Sequence, residues 1–265
     1  MTVLIEKQPG VPRFECLEYA GRNRDYAVLI PVINEGERIH HELERAMKSG
    51  ISDHADIVIY DGGSTDGSLD NDILIKLGVN TLLIKRDEGR QGAQLRMGIW
   101  WALRRDYKGI ITIDGNDKDS IEDVPRFIEK LEAGYDLIQG SRFVKGGKAV
   151  NTPLSRLLAV KLIHAPVISL TAHHRFTDTT NAYRGYSSKY LKDDRVQPLR
   201  DIFMTYELLA YLSVRATRIG LKACEIPVTR AYPAHGKTPT KISFFRGNSE
   251  LFRILLKNAF GAYDP

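Results

Sequence analysis

Apolar residues in the first half of the chain fall into short continuous runs separated by stretches of helical spacing. Ala27 to Val32 is an apolar run of strand length, and Glu35 to Lys48 then places Ile39, Leu43 and Met47 at i, i+4 and i+8, one face of a helix. Ile57 to Tyr60 predicts a second strand, followed by a helix carrying Leu69, Ile73 and Leu77. Thr81 to Ile84 predicts a third, followed by a helix through Leu95, Ile99 and Leu103. Gly109 to Ile113 reads as the fourth strand, Val124 to Leu131 as a helix, and Asp136 to Ile138 as a fifth strand ending at Gly140. Five β-α steps in succession predict an α/β fold with a doubly wound, mostly parallel sheet and flanking helices. In such sheets ligands bind beyond the carboxyl ends of the strands.

Outside these steps the pattern changes. Residues 1–25 carry Pro9, Gly10 and Pro12 with no clear period, so they read as an N-terminal extension that packs on the domain without defining it. After residue 140 come a long helix-prone segment from Pro153 to Leu170, a strand near Ala182 to Tyr186, a helix from Tyr206 to about Arg218 and a strand from Leu221 to Val228. The last segment, Phe244 to Phe260, mixes apolar residues with Arg246, Arg253 and Lys257. No repeat or flexible linker divides the chain, so residues 26–265 are expected to form a single domain.

The formal charge of +5 favours an acidic partner, but Lys and Arg are spread among Asp and Glu and no nucleic-acid-binding motif is present. Specific nucleic-acid binding is therefore not expected. No apolar run reaches the roughly 20 residues that span a bilayer, and the N-terminus lacks a signal-peptide pattern. Cys16 and Cys224 stand far apart, without metal-ligand spacing, which makes a reducing cytoplasm the default compartment.

Four of the strand ends run into polar clusters. The first is Pro31-Val32-Ile33-Asn34-Glu35, where Asn34 is also a candidate helix cap. The second, Asp61-Gly62-Gly63-Ser64-Thr65-Asp66-Gly67, offers an acceptor for a base or ribose at Asp61 and glycines that let backbone approach a ligand. A turn with a Ser/Asp cap is the alternative reading of that loop. The third, Arg86-Asp87-Glu88-Gly89-Arg90-Gln91-Gly92, sets positive charge and glycines ahead of a helix, suited to phosphate. In the fourth, the strand Ile110-Ile111-Thr112-Ile113 meets Asp114-Gly115-Asn116-Asp117, a cluster of carboxylate and amide oxygens that suits a metal-bound diphosphate. All four lie on one edge of the predicted sheet.

In order and spacing, these motifs resemble the inverting family-two glycosyltransferases of the GT-A fold over roughly residues 26 to 142. Beyond 142 the chain resembles polyprenyl-phosphate (dolichyl-phosphate-type) sugar transferases, through Gly140-Ser141-Arg142-Phe143, Asp178-Thr179-Thr180-Asn181-Ala182-Tyr183-Arg184, Glu225-Ile226-Pro227-Val228 and Thr240-Lys241. The resemblance implies transfer of a sugar, with inversion, from a nucleotide-diphosphate sugar to a lipid phosphate. Residues 26–142 would be the nucleotide-sugar half and 143–265 the acceptor half.

By the same resemblance, Pro31, Glu35 and Asp61 hold the base and ribose, with Asn34, Gly63, Gly89, Gln91 and Gly92 completing the donor site. Asp114 and Asn116 serve the diphosphate and a Mg²⁺ or Mn²⁺ ion, Arg142 and Arg156 the acceptor phosphate, Lys241 the donor diphosphate, and Glu207 stands where other members place a carboxylate base. Two departures stand out. Gly62 replaces the second Asp of the family's Asp-Asp-Gly-Ser loop, and Asn116 replaces the second Asp of its Asp-x-Asp motif, which leaves either Asn116 or Asp117 to ligate the metal.

Breaking the anomeric bond builds negative charge on the departing diphosphate, which a metal and nearby Lys or Arg stabilise. A lipid phosphate acceptor is already ionised and needs no strong base. A saccharide hydroxyl acceptor would need one, and Glu207 is the candidate. A third reading is a nucleotide-binding protein without catalysis, which the Gly62 and Asn116 departures allow. The two helical stretches after residue 150 carry Arg and Lys along the rims of apolar faces, which predicts peripheral attachment to the inner face of the membrane.

Overall fold

The strand β3 (Tyr26–Val32) is buried along nearly its whole length, and its side chains alternate between two cores. Ala27 and Leu29 join one apolar cluster, and Val28, Ile30 and Val32 the other. A central strand with both faces covered explains the continuous apolar run. The computed structural model describes residues 2–233 and 244–265, with side chains from 249 onward in the second stretch.

In chain order the strands are β1 (Thr2–Ile5), β2 (Phe14–Glu18), β3, β4 (Asp56–Asp61), β5 (Thr81–Lys85), β6 (Gly109–Thr112), β7 (Leu137–Ser141), β8 (Lys148–Val150), β9 (Arg184–Ser187), β10 (Ala223–Pro227) and β11 (Thr229–Ala231). The helices are α1 (Glu37–Lys48), α2 (Asn71–Lys76), α3 (Gln91–Arg104), α4 (Val124–Glu132), α5 (Leu154–Ala159), α6 (Ala165–Ala172), α7 (Ser188–Lys192), α8 (Glu207–Arg218) and α9 (Phe244–Ala259). The main sheet has the order β1-β2-β5-β4-β3-β6-β9-β7-β10, and β8 pairs with β11 in a separate parallel ribbon.

The chain winds from β3 outward through β4 to β5, then returns to place β6 on the other side of β3. That reversal leaves a crevice above the carboxyl ends of β3 and β6, the usual ligand position in an open α/β sheet. The sheet is mixed but mostly parallel, because only β2 and β9 run against the other strands. One core lies between the sheet and α3, α6 and α8, around Met97, Trp101, Ile168 and Leu212. The other lies under α1 and α4, around Ile39, Leu43, Phe127 and Ile128.

Two expectations change. The N-terminal residues contribute two strands to the sheet, since β2 pairs antiparallel with β5 and β1 with β2. Phe14 and Cys16 point into one core while Glu15 and Leu17 point to the other face, and Phe14 packs edge-on against Trp100 at 5.9 Å between ring centroids. That period-two signal covers only five residues beside Pro9, Gly10 and Pro12. The helix-prone segment becomes a 19-residue helix, Leu154–Ala172, that is long and apolar enough to cross a membrane by length and composition. Its basic residues Arg156 and Lys161 interrupt the apolar run in the sequence. Yet α6 packs on α8 and α9, which ties the helix to the domain.

Candidate active site

Above the β3 and β6 ends opens a cleft of about 1320 Å³. The loop after β6 enters it tightly, because a Cβ on Gly115 would lie 2.8 Å from the Pro31 carbonyl oxygen and 2.9 Å from Ile30 Cγ2. Asp114 and Asn116, on either side of that glycine, both line the cleft. The Asp114 Oδ2 accepts from Arg230 Nη2 at 2.9 Å, and Arg230 Nη1 donates to Asp119, whose side chain is fully buried. Burial alone would raise the Asp114 carboxyl, but the Arg230 guanidinium outweighs it and holds the group below the usual carboxylate value. Asp119 goes the other way, pushed up to about 6 by burial despite the same arginine.

Asn116 Oδ1 is buried and has no hydrogen-bond partner among the described residues. Asp117 does not share its position. It adopts φ 56°, its carboxylate bonds His41 and Arg45 of α1, and its backbone N–H donates to Glu42 at 2.9 Å. Asp117 therefore faces away from the cleft, and Asn116 is the residue beside Asp114 that faces into it. Among the described residues no group of three or more His, Cys, Asp or Glu is placed to hold a metal unaided. Asp114 and the orphaned Asn116 oxygen nevertheless fit Mg²⁺ or Mn²⁺, hard ions commonly held by one or two protein oxygens together with substrate phosphates.

The donor side is only partly as expected. Pro31, Glu35, Gly89 and Gln91 line the cleft, Glu35 with an ion pair to Arg38 at 2.7 Å. Asn34 does not line it and is not the cap of α1, whose cap position is Gly36. Its N–H donates to Ser64 Oγ at 3.0 Å and its Oδ1 accepts from the Thr65 N–H at 2.8 Å, which ties the loops after β3 and β4 together. Asp61 is likewise turned into its own loop, accepting from the Ser64 N–H at 2.9 Å and from Ser64 Oγ at 2.6 Å.

Gly63, at φ 104°, serves the path of that loop and does not face the cleft. Gly62 does face it, and a Cβ there would come within 3.3 Å of Gln94 Oε1, so the departure from the family pattern accompanies a buried glutamine. Gly92 also lies outside the lining. It lets the first turn of α3 touch the backbone at residue 204, where a Cβ would meet the Met204 carbonyl carbon at 2.8 Å.

On the acceptor side Arg142 is buried and lines the cleft. Its Nε and Nη2 fork onto Asp178 at 2.6 and 2.8 Å, while Nη1 has no partner among the described residues. Arg156, on α5, lines the same wall and donates to the Tyr232 hydroxyl at 2.9 Å. Glu207 is not part of the cleft, because its carboxylate accepts the Thr205 N–H just ahead of α8. Lys241 lies outside the described residues.

Sequence reasoning missed Arg230 and Lys118. Lys118 lines the cleft with its ammonium 5.4 Å from the Tyr232 ring centroid. Burial, with Arg230 nearby, pulls its pKa below the ordinary lysine value. The signal for Arg230 is slight, a single arginine two residues after the Pro227-Val228 pair.

A profile described as Glycosyl transferase family 2 matches residues 27–195. The chain belongs to glycosyl transferase family 2. Among curated relatives, the transferase is 28% identical over 207 residues to the undecaprenyl-phosphate mannosyltransferase of Micrococcus luteus, covering 76% of this chain and 81% of that protein. It is 26% identical over 215 residues to the polyprenol monophosphomannose synthase of Mycolicibacterium smegmatis, covering 76% of each. It is also 26% identical to a dolichyl-phosphate hexose transferase of Haloferax volcanii, covering 88% of this chain and 93% of that one.

Among solved structures, the transferase superposes on glucosyl-3-phosphoglycerate synthase from Mycobacterium tuberculosis in complex with Mn²⁺, UDP and glucosyl-3-phosphoglycerate. The TM-score is 0.57 at 16% identity, over 91% of this chain and 80% of that one. At that identity the likeness shows a shared fold, that of a GT-A glycosyltransferase.

Proposed function

We propose that this family 2 transferase moves a sugar, with inversion, from a nucleotide-diphosphate sugar to a polyprenyl phosphate. One observation carries the choice of acceptor: Arg142 and Arg156 line the cleft while Glu207 is bonded back onto Thr205. An ionised phosphate is positioned by arginines and needs no base, whereas a hydroxyl acceptor would have to lose a proton to a carboxylate. The curated relatives support this reading, being named for transfer to undecaprenyl, polyprenol or dolichyl phosphates.

In this reading Pro31, Glu35, Gly89 and Gln91 border the nucleotide, and Arg230 and Lys118 bring positive charge to the Asp114 end of the cleft. Asp114 and Asn116 would hold a divalent metal, which when bound neutralises charge on the departing diphosphate. Arg230 fixes the Asp114 carboxylate as an ionised acceptor, and burial strengthens each of these interactions. Arg142, locked by Asp178, presents Nη1 to the incoming phosphate without spending binding energy on its own ordering.

Titration with UDP, GDP, CDP and ADP, with and without Mn²⁺, tests the donor half. Binding of one base is expected, strengthened by the metal and lost in Asp114→Ala, followed by transfer from the matching nucleotide sugar to a polyprenyl phosphate. A protein that binds none of the four, or that transfers to a saccharide hydroxyl and ignores the lipid phosphate, would sink the proposal.

The acceptor's lipid requires a membrane contact, and the geometry supports one beside the cleft. Leu154, Leu158 and Leu162 stand exposed at i, i+4 and i+8 on the long helix, followed by Leu170. Phe252 and Leu256 on α9, against which α6 packs, and Phe260 just beyond its end are exposed with the same spacing. An apolar face beside the basic Arg156 and Lys161 suits a helix lying in the bilayer interface. Flotation with anionic liposomes is expected to carry the protein at low salt and less of it at high salt. Replacing Leu162 and Leu170 by Asp should release it, and no flotation of the parent protein at low salt would remove peripheral attachment.

A further inference from the structure

The helix that borders the cleft is not regular. Between α5 and α6 it makes a π-turn, Val160–His164. Such a turn inserts one residue into the 3.6-residue repeat and so rotates the residues after it by about 100°. Leu162 and Ile163 remain on the outer face, and His164 turns toward the cleft, which it lines. Both of its ring nitrogens are buried and neither has a partner among the described residues. A histidine serving only as core would bond at least one nitrogen to a carbonyl or carboxylate. Burial, with the Arg184 guanidinium beside it, pushes its pKa down to about 4, so at neutral pH the ring offers one N–H donor.

Two further features of the same wall point to an anion. Arg184 is only 2% exposed, and its guanidinium donates to the carbonyls of Thr179, Asn181 and Leu209 and to no carboxylate among the described residues. A buried cation matched only by carbonyl dipoles leaves positive potential in the cleft it lines. Thr179 Oγ1, like Arg142 Nη1, is buried and without a partner among the described residues. The Asp178 carboxylate, next to Thr179 in the chain, is committed to Arg142. The unmet polar groups are thus mostly donors under a positive field, and Ile168 and Leu209 line the cleft beside them.

We propose that His164, presented by the π-turn, and Thr179 donate hydrogen bonds to the phosphate monoester of the acceptor, in the field of Arg184. This assignment rests on the polyprenyl-phosphate reading and adds His164, which no sequence motif marked, and Thr179, which lies in the Asp178 to Arg184 motif without a role of its own there. A phosphate monoester is the shared chemistry, whether it comes from a prenyl lipid or from a soluble sugar or glycerol phosphate.

The test is calorimetric titration of the full chain with a short prenyl phosphate, with glycerol phosphate and with a nucleoside diphosphate. His164→Leu and Thr179→Val are each expected to weaken prenyl phosphate binding roughly tenfold, as for loss of one hydrogen bond to a charged group. Nucleoside diphosphate affinity should stay unchanged. His164→Gln, which keeps a donor, should recover most of the loss. The ¹⁵N resonances of the His164 ring, identified by their absence in His164→Gln, should move when prenyl phosphate is added.

Prenyl phosphate binding by a folded His164→Leu at parental affinity would overturn the assignment while leaving the acceptor reading in place. Parental protein that binds nucleotide but no prenyl phosphate would overturn the acceptor reading itself. Equal binding of glycerol phosphate, weakened alike in His164→Leu, would support the phosphate subsite and assign it to a soluble source.

Discussion

Arg230→Met is expected to abolish sugar transfer and to lower the melting temperature by roughly 10 °C. Arg230 is the cation between two carboxylates, one lining the cleft and one fully buried. Burial pushes the Asp119 carboxyl up to about 6 even with the guanidinium present, so its ionised form depends on that partner. Removing one member of such a group costs about 3–5 kcal/mol, because the other charges are left buried and unmatched. Asp114 would lose the arginine that keeps it ionised, and the Asp114 end of the cleft would lose a fixed positive charge.

The double variant Arg230→Met/Asp119→Asn separates the two effects. It removes the sealed carboxylate together with its partner, so much of the stability should return while transfer stays lost. Thermal denaturation and a transfer assay read these outcomes independently. Transfer by Arg230→Met within tenfold of the parent would rule out a role for this arginine at the reaction centre.

Arg230 also shows what a one-dimensional pattern does not carry. It lies 116 residues from Asp114, on a three-residue strand whose partner β8 is equally short. By contrast β3, β4 and β6 were legible, because strands buried on both faces must be apolar throughout. The order of these strands and β5 placed Pro31, Glu35, Gly89, Gln91, Asp114 and Asn116 on the carboxyl edge of the sheet, and all six line the cleft.

The direction of a side chain at a strand end was not legible. Asn34, Asp61, Asp117 and Glu207 all have the chemistry to bind a ligand, and each instead satisfies backbone or side-chain groups of its own loop or of a neighbouring loop or helix. Polar side chains near turns and helix starts carry both possibilities, and only three-dimensional neighbours decide between them. His164 was obscured for a related reason: the π-turn breaks the spacing on which helical faces are read.

Arg142 offers the second large effect, with a split that a purely structural residue would not show. Arg142→Ala leaves Asp178 buried without its cation, and a loss of about 3–5 kcal/mol together with loss of transfer is expected. Arg142→Lys is more informative. It keeps the charge but cannot make the two-pronged bond to Asp178 while also presenting a free N–H to the cleft. Transfer should fall about a hundredfold, as expected when a reacting group is misplaced, with nucleoside diphosphate affinity unchanged.

Asp178→Asn tests the same geometry from the other side. Removing the carboxylate charge makes the acceptor wall more positive, so polyprenyl phosphate should bind at least as tightly as to the parent. The guanidinium, freed from its anchor, would no longer be held in one orientation, so kcat should drop while KM for the acceptor does not rise. Parental kcat in Asp178→Asn would show that the fork is only structural, and that the acceptor phosphate is held elsewhere on the wall.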